Sequence, residues 1–322
     1  MTRVATLAQQ RLVTAAALRT QRNVNELQAQ IASGKETQRF SGIANNAGKL
    51  VNLKSELKQA EQFIENITIT EKRLDMMAFA LEEIEKIARK ARTDLAGTLN
   101  GSTADDLQVP SVMQAARDQV VELLNTKDDS RFLFGGGEIG TRPVDLSNGD
   151  YSTPVITGPP NPTFDQSADT GYYEGDSTVQ STRIDDNFTV SYGILANESA
   201  FEKLIRTLDN IATHSFSDPV NSDEQTFITA AMAELTEVIE NNGTDKTLTD
   251  LRSDIGLDRV LLDSINSKHR DFLKFAQDSI AQIENVNTAE AVASLNFEQL
   301  QLEASFTTIA RIQTLSLSNF LR

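Results

Sequence analysis

The sequence predicts a mainly α protein: an elongated antiparallel helical coiled-coil rod with a small β-rich domain inserted at its far end. Three observations predict it. Apolar residues recur at alternating steps of three and four along three long stretches that contain no proline, the mark of helices packed side by side. Five of the seven prolines fall between Pro143 and Pro162, in a segment rich in Gly, Asp, Ser and Thr that breaks the helical pattern. The 322 residues are only 39% apolar and 6% aromatic, low for a compact globule of this size.

The first stretch, 1–40, is a predicted N-terminal helix. Its seam is Val13, Ala17, Thr20, Val24, Leu27 and Ile31. The second, within 41–130, is the first part of the rod. Its predicted seam runs Leu53, Leu57, Ala60, Ile64, Ile67, Glu71, Leu74, Ala78, Leu81, then shifts register to Ile84, Ala88, Ala91 and Leu95. A helix over about 50–95 is on the order of 65–70 Å long. A turn follows near Gly97 and Gly101, with Ser102 or Thr103 as N-cap and Asp105 and Asp106 in the next first turn. Pro110 interrupts that start, and Val112, Ala116, Val120 and Leu123 mark a short helix to about Lys127.

The inserted domain spans 131–198. Gln180, Thr182 and Ile184 alternate against Val179, Ser181 and Arg183. Asp185-Asp186-Asn187 turns the chain into Phe188, Val190 and Tyr192, a hairpin pattern. The segment is expected to project outward from the rod. The second part of the rod, 199–290, holds two short helices on Phe201, Leu204, Ile205, Leu208, Ile211 and on Phe227, Ala231, Leu235, Val238. Asn241-Asn242-Gly243 ends the latter. A long seam then runs Leu248, Leu251, Ile255, Asp258, Leu262, Ile265, His269, Phe272, Ala276, Ser279, Ile283, Val286. Asn287-Thr288-Ala289-Glu290 reads as a capping box. It opens a C-terminal helix, 291–322, with Leu295, Leu302, Phe306, Ile309 and Phe320 along one side.

Chemistry-bearing patterns are sparse. Without cysteine there is no disulfide, thiolate nucleophile or cysteine-ligated metal. His214 and His269 are far apart, so neither a His-rich metal site nor a Ser-His-Asp site is expected; His269, on a seam, reads as a packed histidine with a hydrogen bond. Gly135-Gly136-Gly137 lacks the Lys-Ser/Thr of a phosphate loop and reads as a flexible turn. Asp128-Asp129 and Asp185-Asp186 lack calcium-loop spacing and read as solvated turns. No nucleophile–base constellation emerges, so no enzyme activity, cofactor or metal is expected.

With 46 acidic and 30 basic residues the chain carries −16. That argues against nucleic acid as a partner. No apolar run is long enough to span a membrane, and the first residues lack a secretory signal pattern. The charge is uneven: residues 1–40 carry six bases (Arg3, Arg11, Arg19, Arg22, Lys35, Arg39) and two acids (Glu26, Glu36). One reading is a solvated acidic middle with a few chance arginines. The other is a basic arm that meets acidic surfaces of neighbouring subunits.

The two ends carry a resemblance. Residues 18–35, closing on Ser33-Gly34-Lys35, resemble the N-terminal helix of the bacterial flagellin superfamily. Residues 295–321, closing on Arg311-Ile312-Gln313-Thr314-Leu315-Ser316-Leu317-Ser318-Asn319-Phe320-Leu321, resemble its C-terminal helix. Filament flagellins of that superfamily usually carry an Ala-Asp-Asn-Thr-x-Phe-Asn-Gly type segment after the third helix. This chain instead has Asn125-Thr126-Lys127-Asp128-Asp129-Ser130-Arg131-Phe132-Leu133-Phe134-Gly135-Gly136. That stretch, with Tyr173-Glu174-Gly175-Asp176, is similar to the superfamily's hook–filament junction class. Phe40-Ser41-Gly42-Ile43-Ala44-Asn45-Asn46 departs from the Ser-Asp-Asp-Pro the superfamily often has there.

The resemblance implies an extracellular structural subunit of the flagellum. It would be exported unfolded by the flagellar type III apparatus without a cleaved signal, with a cytoplasmic chaperone on its C-terminal helix. It would be a homo-oligomer whose partners are a neighbouring junction protein and flagellin. The terminal helices would order on assembly, with Val24, Leu27 and Ile31 against Leu302, Phe306 and Ile309. A short filament flagellin and, in a different class, a cytoplasmic coiled-coil scaffold are the alternatives.

Overall fold

The proline-free stretches fold as helices, and proline and glycine mark their ends. A computed structural model describes residues 2–37, 46–99, 108–154, 164–217, 220–240 and 245–318, without the side chains of 2–10 and 312–318. The order is α1 (Thr2–Ser33), α2 (Ala47–Leu99), α3 (Val109–Leu124), β1 (Lys127–Asp128), β2 (Arg131–Phe132), β3 (Gln180–Asp185), β4 (Phe188–Tyr192), α4 (Ser199–Thr213), α5 (Ser222–Ile239), α6 (Leu248–Glu284) and α7 (Thr288–Ser318). The expected cap at Ser102 or Thr103 with Asp105 and Asp106, the turn Asn241-Asn242-Gly243, Phe320 and most of the 40–46 segment lie outside the described residues.

Caps explain the boundaries. Gly34 adopts φ +69°, and its N–H donates to the Gln30 carbonyl at 2.8 Å. Ser33-Gly34-Lys35 is thus the left-handed C-cap of α1, a conformation only glycine adopts without strain. Pro110 does not interrupt α3; it occupies the first turn, where its missing N–H has no intrahelical role. The Asn221 side chain accepts from the Asp223 and Glu224 amides, and Glu224 reaches back to form a capping box for α5. Asn287 Oδ1 accepts from Glu290 N at 3.4 Å and opens α7.

The chain divides into two compact units, 1–60 with 271–322, and 61–270. In the first, α1 packs along α7. In the second, α2 and α6 run antiparallel. The Phe63 and His269 rings lie 5.4 Å apart, and Arg259 meets Asp75 at 2.7 Å. Their apolar faces share a core with α3, α4 and α5 that includes Ile67, Leu74, Ile84, Leu124, Phe201, Leu235 and Leu262.

The α6 seam is where its spacing puts it, from buried Leu248 to half-buried Ile283. The α2 seam differs in one column. From Ala60 onward the buried column is Ala60, Phe63, Ile67, Thr70, Leu74, Met77, Leu81, Ile84, Ala88, Ala91, Leu95 and Thr98, with buried Ala80 beside it. Steps of three and four alternate without a break, so no register shift occurs at Leu81. Ile64, Glu71 and Ala78 are only half-buried, one residue off the seam.

The segment 131–198 differs more from expectation. Helix makes up about 69% and strand 7% of the structure, and the strands form two two-stranded antiparallel sheets. The hairpin is present, with Thr182 opposite Val190 and Gln180 opposite Tyr192. Apart from β2, the rest of its described residues are loop, and Phe134, Val144, Tyr151, Tyr172, Ile184 and Ile194 belong to the same core as the helices. A loop-rich segment has too few ladder bonds to stand alone. It borrows its core from α4, and Tyr172 OH donates to Ala196 O at 3.0 Å.

Candidate assembly interface

In the first unit the α1 cap grips the end of α6. Glu36 N donates to Glu284 O at 2.8 Å, and Val286 N donates to Gly34 O at 3.0 Å. Lys35 Nζ lies 3.2 Å from Glu284 Oε2, and Lys54 binds its other oxygen. The Lys54 and Lys35 hydrogen bonds hold the Glu284 carboxyl below its usual pKa, against the effect of burial. The Lys35–Asn285 bridge is antiparallel and sets α1 against α7 in register. Further along, Asn23 Nδ2 donates to Glu298 Oε1 at 3.0 Å.

That register places the six expected interface residues. Val24 is buried and Leu27 and Ile31 are half-buried, so all three lie on the inner face of α1. Leu302 and Ile309 are half-buried on α7, whereas Phe306 is 53% exposed. Within one chain the two triplets are staggered. With Lys35 beside Asn285 and Asn23 beside Glu298, Val24 stands near Phe297, while Leu302 lies near the Arg19 turn. Leu12, Leu18, Phe297 and Leu300 are more than half exposed on the outer faces, a large apolar surface without cover in a single chain. Arg11, Arg19 and Arg22 share the exposed face of α1 with Leu12 and Leu18.

In the second unit the two junction-like motifs meet. The Asp176 carboxylate accepts from Gly137 N at 2.6 Å and Thr178 N at 3.0 Å, and these bonds, led by Gly137, hold it below the usual carboxylate range. Tyr173 OH donates to Asp176 O at 2.7 Å; burial pushes this phenol up to about 12. A Cβ on Gly136, at φ +69°, would stand 2.3 Å from Asp176 Oδ1. Gly135-Gly136-Gly137 is therefore a packed turn, not a flexible one, and the glycines admit the Tyr173–Asp176 loop.

Asp128 is likewise not a solvated turn residue. It is buried and ion-paired with Lys72 and with Arg73, whose Nε is 3.3 Å away. The Lys72 hydrogen bond, with Arg73 assisting, depresses its pKa. Asp129 forms the turn itself, at φ +55°. Arg73 Nη1 also donates to Tyr192 OH at 3.1 Å, Asn66 Nδ2 donates to Arg183 O at 3.1 Å, and His269 Nε2 bonds Ile184 O at 2.7 Å. His269 is thus packed and hydrogen-bonded, with the hairpin as its partner. Sequence reasoning missed the Phe63, Thr70 and Met77 column. The signal was available: Glu71 was a charged residue in the expected seam, and the column beside it contains none.

No family model matches the chain. It is 24% identical over 292 residues to "Flagellar hook-associated protein 3" of Escherichia coli, covering 89% of this chain and 90% of that protein. It is 20% identical over 318 residues to the protein of the same name from Salmonella typhimurium, covering 91% of each. A solved structure from Vibrio parahaemolyticus, named as a flagellar hook-associated protein, superposes with a TM-score of 0.57 at 17% identity, over 76% of this chain and all of that one. That likeness supports the fold.

Proposed function

We infer that this chain is a flagellar hook-associated protein of the junction class, a structural subunit that joins hook to filament and so supports motility. One observation carries the reading: the similarity to two curated proteins of that one name extends over nine-tenths of this chain and of theirs. The reading is consistent with the local structure. The residues that separate this chain from filament flagellins, 125–136, pack onto the Tyr173–Asp176 loop. The chain's role is that of a structural subunit rather than an enzyme.

The subunit lies outside the cell, delivered by flagellar type III export, and forms a homo-oligomeric ring next to another junction protein and flagellin. A cytoplasmic chaperone holds the C-terminal helix before export. The exposed apolar faces of α1 and α7, with Val24, Leu27, Ile31, Leu302, Phe306 and Ile309, become the subunit interface. The arginines of α1 meet acidic neighbours. Small-angle scattering of purified protein tests the expected elongated rod.

Stoichiometry tests the function. Sheared flagella should contain few copies per filament, and a deletion strain should make hooks without filaments. Thousands of copies per filament would make the chain a filament subunit. Absence from sheared flagella, with filaments intact in the deletion strain, would leave the cytoplasmic scaffold.

A further inference from the structure

α4 ends at His214, whose amide donates to Ile211 O at 3.3 Å. The imidazole turns inward. Its side chain is only 13% exposed, and its ring lies 4.6 Å from the Phe216 ring and 5.0 Å from that of Phe227 on α5. His214 Nε2 is buried without a hydrogen-bond partner among the described residues, an arrangement that costs free energy. The charge facing it is Glu224 Oε1, at 3.6 Å, beyond hydrogen-bond reach.

Glu224 is already committed. Its Oε1 accepts from Ser217 N at 2.8 Å and from Ser217 Oγ at 2.9 Å, which occupies both lone pairs, and Oε2 accepts from Asn221 N at 3.0 Å. These bonds tie the loop between α4 and α5 to the capping box that opens α5. Although burial works against it, the Asn221 and Ser217 bonds hold the Glu224 carboxyl below its usual range, so it stays ionised in mild acid.

Protonating the ring upsets this arrangement. In the imidazolium both nitrogens donate, so Nε2 becomes a charged donor whichever tautomer the neutral ring adopts. Two routes satisfy it: Glu224 Oε1 leaves Ser217, or the ring leaves Phe216 and Phe227 for water. Either route undoes the corner. Glu224, from α5, is the ionisable group that acts on the ring among the described residues; Phe216 from the loop and Phe227 from α5 carry no charge. Burial lowers the His214 pKa, and Glu224 only partly offsets it. The fold therefore prefers the neutral ring. That preference contributes fully above the pKa of an unfolded histidine, about 6.5, and is lost as pH falls toward the lower folded value.

We propose that His214 is an acid-responsive latch: neutral, it closes the corner between α4 and α5; protonated, it frees the loop that Glu224 holds. The latch is independent of the junction reading. It makes this corner the first part of 61–270 to loosen in mildly acidic surroundings.

The full-length protein is compared with His214→Phe, which keeps an aromatic ring beside Phe216 and Phe227 but cannot titrate. Hydrogen exchange, corrected for its intrinsic pH dependence, is followed in peptides covering 214–226 at about pH 7.5 and about pH 5.5, on either side of the histidine range. In the native chain, protection there should fall several-fold in acid, while the α2 and α6 seams keep theirs. His214→Phe should hold the same protection at both pH values. Glu71 and Asp258 cannot mimic the effect: burial first, then like-charged neighbours, raise both, so through them acid favours the fold. Unchanged corner protection in the native chain would overturn the proposal, and so would an equal fall in His214→Phe. If His214→Phe loses native helix content by circular dichroism, His214→Gln, uncharged and able to hydrogen-bond, is read by the same two criteria.

Discussion

Asp128 and the glycines of 135–137 have roles that their neighbours in sequence do not reveal. Asp128 is buried between Lys72 and Arg73. Its depressed pKa means its contribution is fully present above the pKa of an unfolded aspartate, about 3.9, and is lost as pH falls through the lower folded value. Asp128→Ala should therefore cost about 2 kcal/mol at neutral pH, moderated by the exposure of Lys72. The gap between variant and parent should shrink as the pH approaches 3 in urea titrations. A gap independent of pH would remove the ion pair from the account. Glycine makes a paired test. Gly136→Ala forces a Cβ into Asp176 at positive φ and should cost at least about 1–3 kcal/mol. Gly256→Ala, within α6 and facing open space, should stabilise by about 0.8–1 kcal/mol.

Helices were legible because their signals are local. Spacing put the α6 seam in place from Leu248 to Ile283, and Gly34 and Asn287 marked true ends. What spacing could not choose was which of two adjacent columns on α2 is inner. Phe63 and Ile64, or Met77 and Ala78, are apolar neighbours, and the partner surface decides between them. Phe63→Ala should cost about 3–5 kcal/mol, and Ile64→Ala about 1–2 kcal/mol. Equal losses would place the Ile64 column on the seam as well. Leu74, common to both columns and fully buried, should cost about 2–5 kcal/mol as Leu74→Ala. The core that the loops of 131–198 share with the helices is not legible from spacing for a different reason. Their anchors, such as Tyr151 OH on Asp209 at 3.0 Å and Asn125 bonding both N and O of Val144, are long-range or lie in irregular backbone. Replacing the segment with a Gly/Ser linker would bare Phe201, Leu204 and Leu208. It should abolish the cooperative melting of 61–270 rather than leave a functional rod.

At the scale of the molecule, the two units contrast. In 61–270 a large shared core is closed, whereas α1 and α7 leave Leu12, Leu18, Phe297, Leu300 and Phe306 more than half exposed. A helix pair with so much uncovered apolar surface is marginal in water and gains most from a neighbour. Limited proteolysis of the monomer should remove both ends before it cuts 61–270, and assembled protein should resist. Equal protection of the ends in the monomer would separate their folding from assembly. The central claim, a junction subunit, is tested most directly by immunogold labelling of intact flagella with an antibody to this chain. The account predicts a single narrow band of gold at the boundary between hook and filament. Labelling along the whole filament, or gold confined to the cell interior, would contradict it.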